Sequence, residues 1–246
     1  MQFIGRQFME KTRYLHLTPS DQQMGETPPP LEKPYPHDGI RIRLQPADQV
    51  FLPEHNLLDL IESRRSIRTY SQKALTQKEL AYLLWSTQGI MDSRAPYFTL
   101  RTVPSAGGRH ACETYLLINR VEGLTPGLYR YLAFSHELLE IDTVSGITDN
   151  VMAACLGQPF VRSSAVTFIW SCIIYRMSWR YSERAYRLVH LDAGHICQNL
   201  YLAGEEIGCG TCAIGAFDDE EMARIIGADG VEEFVIYLAT VGKKKK

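Results

Sequence analysis

The chain has 246 residues, with a hydrophobic fraction of 45% and a charged fraction of 22%, which is typical of a globular protein with a sizeable core. Its formal net charge of −2 excludes a surface that binds polyanions as a whole, so any anion site must be local. The longest uncharged apolar run, 163–175, is far shorter than the roughly 20 residues that span a bilayer. No export signal is visible at the start. We therefore predict a soluble, cytoplasmic protein that binds neither nucleic acid nor membrane.

Residues 1–55 differ from the rest in their proline content. Eight prolines fall here, at positions 19, 28, 29, 30, 34, 36, 46 and 53, and they disfavour long helices and central strands. The alternative is a disordered leader, but Phe8, Tyr14, Leu15 and other apolar residues are more numerous than such a leader needs. This composition predicts an extended Pro-rich arm over 1–55. The arm would lie on the surface of the domain or of a partner subunit.

The remaining residues, 56–246, predict one α+β domain with a mixed β-sheet. Thr76 and Glu79 have the spacing of a capping box at the start of an apolar-faced helix. Strands and helices do not alternate strictly, so a doubly wound parallel sheet is not indicated. The predicted helices cover 57–62, 77–88, 183–207 and 218–226, and the predicted strands cover 113–119, 128–131, 138–142, 165–174 and 234–241.

A cluster of three arginines and a serine lies between the first two of these helices. Its members are Arg64, Arg65, Ser66 and Arg68. Guanidinium forks and a hydroxyl are donors that suit a phosphate or a carboxylate. In an extended segment, Arg64, Ser66 and Arg68 would share one side, with Ile67 opposite in the core. A solvated basic loop is the alternative.

Two segments rich in small residues follow. The first, 103–109 (VPSAGGR), has paired glycines that let the backbone approach a flat ligand closely, although a plain loop remains the alternative. The second, 208–217 (GCGTCAIGAF), begins with the G-x-G-x-x-A form of a dinucleotide fingerprint. That fingerprint must follow a strand, whereas this segment follows the longest predicted helix. We predict a loop of small residues here, not a Rossmann turn.

The cysteines and histidines do not form a recognisable metal site. Cys209 and Cys212 make a single C-x-x-C pair, whereas structural zinc needs four ligands. A thiol oxidoreductase using this pair is an open alternative, although two thiols packed among small residues is the simpler interpretation. His190 and His195 are five residues apart on one helix and are out of line for a shared ligand. We predict no metal.

In this order, the motifs resemble those of the nitroreductase family. Within it they are most similar to the SagB-type dehydrogenases, a branch that includes azoline oxidases of peptide natural-product pathways. The matching segments lie between residues 57 and 243 and read RRSIRTY, VPSAGGRHACETYLLI, GLYRY, RYSERAYRLVHLDAGHICQNLYLAGEEIGCG, AIGAFDD and YLATVGK. The resemblance implies a nitroreductase-like mixed sheet flanked by helices. It also implies a homodimer with FMN at the subunit interface and hydride exchange with NAD(P)H or a small organic substrate.

The resemblance also implies which residues contact the flavin. Backbone donors at the N5 edge would stabilise the charge that develops as the ring is reduced. The protein positions and polarises the flavin, while hydride transfer is the cofactor's own chemistry. The implied contacts are Arg64, Arg65, Ser66 and Arg68 at the phosphate and pyrimidine side; Pro104, Ser105, Ala106, Gly107 and Gly108 from the other subunit; Gly215 and Ala216 near N5; and Lys243, or alternatively Lys245, at the phosphate.

One departure from the resemblance concerns the implied catalytic pair. Azoline oxidases carry a lysine-tyrosine pair before the long helix, where this chain has Arg180 and Tyr181. Arginine stays protonated and is a poor general base, whereas Tyr181 can donate or accept a proton. An FMN-dependent oxidoreductase with Arg180 and Tyr181 at its catalytic site is the first hypothesis. A catalytically silent flavin-binding accessory subunit of a peptide-modifying complex is the alternative.

Overall fold

The computed structural model describes residues 3–49 and 54–245, so Pro53 of the predicted arm and Lys246 of the terminal lysine run lie outside the described residues. The helices are α1 (Ile4–Lys11), α2 (Asp21–Met24), α3 (Leu57–Ser63), α4 (Gln77–Gln88), α5 (Ile147–Ala154), α6 (Phe160–Ser163), α7 (Tyr175–Tyr181), α8 (Ala185–Glu206) and α9 (Asp219–Ile226). The strands are β1 (Arg41–Arg43), β2 (Ile90–Arg94), β3 (Phe98–Arg101), β4 (Cys112–Ile118), β5 (Gly127–Leu132), β6 (Glu137–Asp142), β7 (Val166–Ile173), β8 (Cys209–Ile214) and β9 (Glu233–Lys243).

Seven of these strands form one sheet in the order β1-β6-β5-β4-β7-β9-β8, and β2 with β3 forms a separate hairpin. Neighbouring strands of the large sheet pair antiparallel. Parallel pairing occurs at its margin, where Ser66 bridges Thr211 of the edge strand β8. Helices cover both faces, which confirms the α+β prediction.

The central strands β4 and β7 are buried along almost their whole length. Burial on both sides of these strands suits a sheet whose two faces are both covered. One face packs against α4 and α8, through side chains that include Leu80, Leu83, Leu84, Ile196 and Leu200. The other packs against α5 and α9, through side chains that include Val151, Met222 and Ile226.

Local signals placed several elements correctly. The capping box that begins α4 is present: Glu79 N donates to Thr76 Oγ1 at 3.2 Å, and Thr76 N donates to Glu79 Oε2 at 2.9 Å. Strands β5 and β6 form the predicted hairpin. The predicted helix over 218–226 is α9, with Asp218 as its N-cap and Gly227 just after it. These predictions are confirmed. They succeed because each depends only on residues that are neighbours in the sequence.

The predicted loop at 208–217 is wrong over most of its length, because residues 209–214 form strand β8 and pair with β9. The strand was not predicted because glycine and cysteine are not among the residue types that strongly favour β-strands. Gly210 allows the neighbouring segment to pack closely against the strand and does not form a turn. A Cβ added at Gly210 would lie 2.6 Å from Cβ of Ile67. Glycine inside a strand commonly marks such close contact. The hairpin of β2 and β3 and the helices α5 to α7 also carried no recognisable signal.

Residues 3–49 lie against the rest of the same chain. Their helices α1 and α2 are short, and β1 adds to the sheet beside β6. Trp179 Nε1 donates to Glu26 O at 3.0 Å, and Arg176 Nε donates to Pro30 O at 2.8 Å. Lys33 Nζ lies 2.5 Å from Glu233 Oε2. Buried polar groups of the domain thus find their partners in the backbone and side chains of this segment.

A buried ion pair lies beneath the segment. Nη1 of Arg176 is 2.7 Å from Oε1 of Glu113, and the two side chains are only 2% and 6% exposed. Lys33 N donates to the same carboxylate oxygen at 2.7 Å. Burial by itself would raise the pKa of Glu113, but the charges of Arg176 and Arg130 and these hydrogen bonds outweigh it and hold that pKa below its usual range. Glu113 is therefore ionised in the folded protein.

We predict that Glu113→Gln lowers the free energy of unfolding by about 3–5 kcal/mol at pH 7, because it leaves Arg176 buried without a charge partner. The folded-state pKa of Glu113 is depressed, so this stabilisation is present above the unfolded pKa and lost as the pH falls through the folded one. Urea unfolding between pH 3 and pH 7 measures it. The matched control, Asp92→Asn in the exposed Arg94–Asp92 pair, should cost about 0–1 kcal/mol. Equal losses in the two variants would contradict the prediction.

Candidate functional site

The arginine-serine segment is fixed in an extended form along the free edge of β8. Ser66 forms a parallel bridge with Thr211, and Ile67 N donates to Thr211 O at 2.9 Å. Ile67 packs inward against Gly210. Ser66 and Arg68 are exposed, and Arg64 is half-buried. Ile67 thus faces the core as expected, whereas Arg65, which strict alternation would place on the side of Ile67, is exposed.

Tyr201 of α8 connects this segment to the sheet. Its hydroxyl lies 2.9 Å from Ser66 Oγ and accepts a hydrogen bond from Ala213 N at 2.8 Å. Its ring lies under the guanidinium of Arg64, with 5.3 Å between Arg64 Cζ and the ring centroid. One largely buried side chain thus positions the serine, one arginine and the end of β8. Sequence reasoning missed Tyr201 because its position on α8 looks like one more apolar core position.

The three arginines differ in their partners. Arg65 turns back towards the end of α3, where its Nη1 donates to Glu62 O at 2.6 Å and to Arg64 O at 2.8 Å. Arg68 lies beside Phe160, with Cζ 6.0 Å from the ring centroid. Within residues 3–49 and 54–245, neither Arg64 nor Arg68 has a carboxylate in salt-bridge contact. These two guanidinium groups are available to an anion.

The predicted lysines lie at the end of β9. Lys243 pairs with Cys209 across the β8–β9 ladder, but its ammonium contacts Glu79 Oε1 at 2.5 Å and Ile207 O at 2.9 Å. Its charge is thus already neutralised by a carboxylate, which the sequence-based assignment to the phosphate did not foresee. Lys245 is exposed.

Gly215 and Ala216 follow directly after β8, and both are exposed. A Cβ added at Gly215 would meet nothing nearer than Cε2 of Tyr237 at 3.9 Å, so the space above this backbone is open. Ala216 O accepts a hydrogen bond from Gln158 Nε2 at 2.9 Å, which holds the turn. The turn follows Ala213, which Tyr201 already holds.

The Pro-Ser loop, 104–108, is held by a buried carboxylate of α8. Asp192 accepts hydrogen bonds from Ser105 Oγ at 2.5 Å and from Ala106 N at 3.2 Å. Gly107 and Gly108 have φ values of +61° and +63°, a conformation that favours glycine. Burial raises the pKa of Asp192, while its two hydrogen bonds oppose the rise. The conformation of the loop is thus fixed by hydrogen bonds to a buried carboxylate and by two glycines with positive φ.

Arg180 and Tyr181, the predicted catalytic pair, lie beside this loop. A Cβ added at Gly107 would be 2.7 Å from Tyr181 Oη and 2.9 Å from both Cδ and Nε of Arg180. The guanidinium of Arg180 also lies near the Tyr181 ring, at 5.6 Å from its centroid. The structure therefore brings together two sets of residues that the sequence placed about 70 positions apart.

Within one chain, α8 separates the two halves of the predicted site. Tyr201 holds the arginine segment and Asp192 holds the Pro-Ser loop. Nine residues of helix separate them, which is about 14 Å along the axis and about half a turn around it. Along this part of the helix α8 carries an exposed stripe that includes Leu191, Gly194 and His195.

The cysteine pair of β8 is buried. Burial raises the pKa of Cys209 to about 11 and also raises that of Cys212. Both thiols are thus held in the unreactive protonated form, which argues against the thiol oxidoreductase alternative. Among the described residues, no group of three or more histidine, cysteine or acidic side chains is placed to hold a metal ion. No helix in that part of the chain is long and apolar enough to cross a bilayer.

Comparison with known proteins identifies the family. Residues 61–243 match the Nitroreductase family. A candidate nitroreductase of Methanocaldococcus jannaschii is 32% identical over 207 residues, which cover 84% of this chain and 98% of that protein. The trifolitoxin operon protein TfxC of Rhizobium leguminosarum is 26% identical over 227 residues, which cover 85% of this chain and 63% of that protein. The chain belongs to the nitroreductase family.

Solved structures share the fold. A candidate nitroreductase of Anabaena variabilis has a TM-score of 0.68 at 28% identity; the match covers 84% of this chain but only 42% of that longer one. A candidate nitroreductase of a Desulfovibrio desulfuricans subspecies, solved in complex with FMN, has a TM-score of 0.55 at 17% identity, covering 79% of this chain and 89% of that one. A chain of the E. coli microcin synthetase McbBCD complex has a TM-score of 0.61 at 19% identity, covering 80% of this chain and 77% of that one.

We predict that Tyr201→Phe lowers the free energy of unfolding by about 1–3 kcal/mol, because Ala213 N and Ser66 Oγ lose their shared partner. Thermal or urea unfolding measures the change. Tyr175→Phe is the matched control, because its hydroxyl contacts Asp21 at the surface, and this change should cost about 0.5 kcal/mol or less. Equal stability of the two variants would show that the Tyr201 hydroxyl does not hold the site.

Proposed function

We propose that the protein is a cytoplasmic FMN-dependent oxidoreductase of the SagB-type branch that works as a homodimer. It would transfer hydride between flavin N5 and a nicotinamide or a small organic substrate. One observation carries the proposal: Arg64 and Arg68, without carboxylate partners in the described chain, flank a serine that is fixed at the β8 edge. Two free guanidinium groups beside an ordered hydroxyl suit the dianionic phosphate of FMN. The FMN-bound Desulfovibrio structure of the same fold supports this cofactor.

The residues of the site fit the proposed cofactor, but they would differ in how directly they contact its phosphate. Arg64, Ser66 and Arg68 would bind the phosphate directly. Arg65, whose guanidinium folds back on α3, would add charge at longer range. Lys243 would contribute little, because Glu79 already pairs with it, and Lys245 would act only through its exposed charge.

The turn after β8 would supply the polar edge of the site. The backbone beside Gly215 and Ala216 is exposed, with open space above Gly215. N–H groups placed there would stabilise negative charge that develops at the flavin N5 edge. When bound, FMN supplies the hydride chemistry. The protein's own contribution is to hold this edge rigid through Tyr201 and Ala213.

We assign the Pro-Ser loop of the proposed site to a second copy of the chain. In one copy, the loop and the arginine segment are held from opposite sides of α8, by Asp192 and Tyr201. The exposed stripe on α8, with Leu191 61% exposed and Gly194 beside it, offers a surface on which a second α8 can pack closely. A dimer formed there would set Pro104, Ser105, Ala106, Gly107 and Gly108 of one copy beside the arginines of the other.

In the proposed reaction, Tyr181 is the group that donates or accepts a proton. Its hydroxyl lies beside Gly107, next to the flavin-contacting loop. Arg180 keeps its charge and cannot serve as the base. The presence of arginine where azoline oxidases have lysine argues against proton abstraction of the azoline-oxidase type. It favours reduction or oxidation of another small organic substrate.

A catalytically silent accessory subunit is the second candidate. Arg180 in place of a lysine favours it, as does similarity to a trifolitoxin operon protein and to a chain of a microcin synthetase complex. Such a subunit would bind FMN without turning it over. The two candidates therefore share the cofactor and differ in turnover.

We predict that Arg64→Ala and Arg68→Ala each weaken FMN binding about tenfold or more, since each removes a charge-assisted contact worth about 1.5–3 kcal/mol. Fluorescence titration of FMN into cofactor-free protein measures the affinity. Arg224→Ala is the control, because this exposed arginine of α9 belongs to no part of the proposed site and pairs with Glu221, three residues earlier. Unchanged affinity in both variants would place the phosphate elsewhere, and failure to bind FMN at all would refute the proposed cofactor.

Turnover separates the two candidate functions. We predict that NADH or NADPH bleaches the flavin absorption of the loaded protein under anaerobic conditions, and that a quinone or a nitroaromatic compound restores it. The accessory subunit would be favoured if neither nicotinamide reduces the flavin and if a quinone does not reoxidise the flavin after it has been reduced by light.

A further inference from the structure

Helix α7, the residue after it and the N-terminal segment line an open cavity of about 370 Å³. One wall is formed by residues between 14 and 23, and the opposite wall by Arg180, Tyr181 and Ser182. This volume lies within the range of small-molecule sites. The cavity adjoins the predicted catalytic pair but takes no residue from the arginine segment at the β8 edge.

The wall from the N-terminal segment is anchored to α7 and to Arg184, the residue just before α8. Trp179 Nε1 donates to Glu26 O at 3.0 Å, and Tyr175 Oη donates to Asp21 Oδ2 at 2.8 Å. Arg184 Nη1 donates to Thr12 O at 3.0 Å. These contacts bracket the cavity on both sides along the chain. Its shape is therefore part of the fold.

Arg180 brings an uncompensated positive charge to this cavity. Its side chain is exposed, and within residues 3–49 and 54–245 no carboxylate lies in salt-bridge contact with it. Two acids of the surrounding elements have other partners: Asp21 accepts a hydrogen bond from Tyr175, and Asp192 accepts one from Ser105. Glu183, three residues after Arg180, is exposed and forms no ion pair with it. Burial, together with the charges of Arg176 and Arg180, lowers the pKa of Arg109 to about 10, as expected where positive charges crowd together.

We infer that this cavity binds the carboxylate of a small organic substrate, with Arg180 as the residue that recognises the anion. A guanidinium fork matches a carboxylate in a two-point contact. Tyr181 Oη and Gly107 lie next to Arg180, so a molecule anchored there has its remaining atoms close to the Pro-Ser loop, which is proposed to contact the flavin. The inference rests on the proposed function and names its substrate class. Arg180 thus takes a binding role where the resemblance implied a lysine in proton transfer.

The test compares a carboxylate with its neutral counterpart. Loaded enzyme is assayed with 4-nitrobenzoate and with methyl 4-nitrobenzoate, and the ratio of their kcat/KM values is recorded. We expect Arg180→Gln to lower this ratio about tenfold or more, Arg180→Lys to restore part of it, and Arg224→Ala to leave it unchanged. An unaltered ratio in Arg180→Gln would overturn the inference.

Binding without turnover separates this inference from the proposed function. Calorimetric titration of benzoate into the protein as purified should show binding that weakens about tenfold in Arg180→Gln and that falls with added salt, while benzamide binds weakly to both. Such binding supports the carboxylate site even if the protein takes up no FMN, in which case only the proposed function fails. Equal binding of benzoate and benzamide, or no effect of Arg180→Gln on benzoate, would overturn the inference.

Discussion

The hydrogen bond from Ile67 N to Thr211 O is the contact on which the arginine half of the site depends. It attaches the segment after α3 to the free edge of β8 and so fixes which side chains face outward. Gly210 makes this approach possible, because any Cβ there would overlap Ile67. Once the backbone is set, Tyr201 holds Ser66 and the end of β8 with one hydroxyl. Rigid donors of this kind need little reorganisation when charge arrives.

Helix α8 has the second organising role, because it holds one half of the site on each side. Tyr201 faces the arginine segment, while Asp192 faces the Pro-Ser loop, where Gly107 lies against Arg180 and Tyr181. A complete flavin site in the proposed dimer would then need both copies of the helix. Such a dimer would make cofactor binding and assembly mutually dependent, since anything that binds only the assembled form stabilises it.

Sequence patterns predicted the parts of this fold that depend on neighbouring residues. The capping box of α4, the apolar period of α8 and the buried runs of β4 and β7 are local features, and they were placed within a few residues. Strand β8 was missed because glycine is depleted in strands and cysteine gives no strong strand signal, and its stability comes from pairing with β9 and from contact with Ile67.

The fine structure of the site was beyond sequence reasoning for a similar reason. The contacts of Tyr201 with Ser66 and of Asp192 with Ser105 join residues 135 and 87 positions apart. No periodicity or spacing reports such pairs. The sequence placed Lys243 just after the last strand, whereas it is the final residue of β9, and its partner Glu79 could be seen only in the folded chain. Arg180 departs from the lysine that the resemblance implies, and only the folded chain shows that it lines a cavity with the N-terminal segment.

The central claim is that two copies of the chain complete each flavin site. Its most direct test is the FMN content of mixed dimers, purified through two different tags. One chain carries Arg64→Ala with Arg68→Ala, and the other carries Gly108→Val. Valine should distort the loop, because Gly108 has a φ of +63° and a Cβ added there would lie 3.1 Å from Thr99 O. Sites shared between copies leave one intact site per mixed dimer, so we predict one FMN per mixed dimer and none in either parent homodimer. Mixed dimers without FMN, or a protein that remains monomeric with FMN bound, would contradict it.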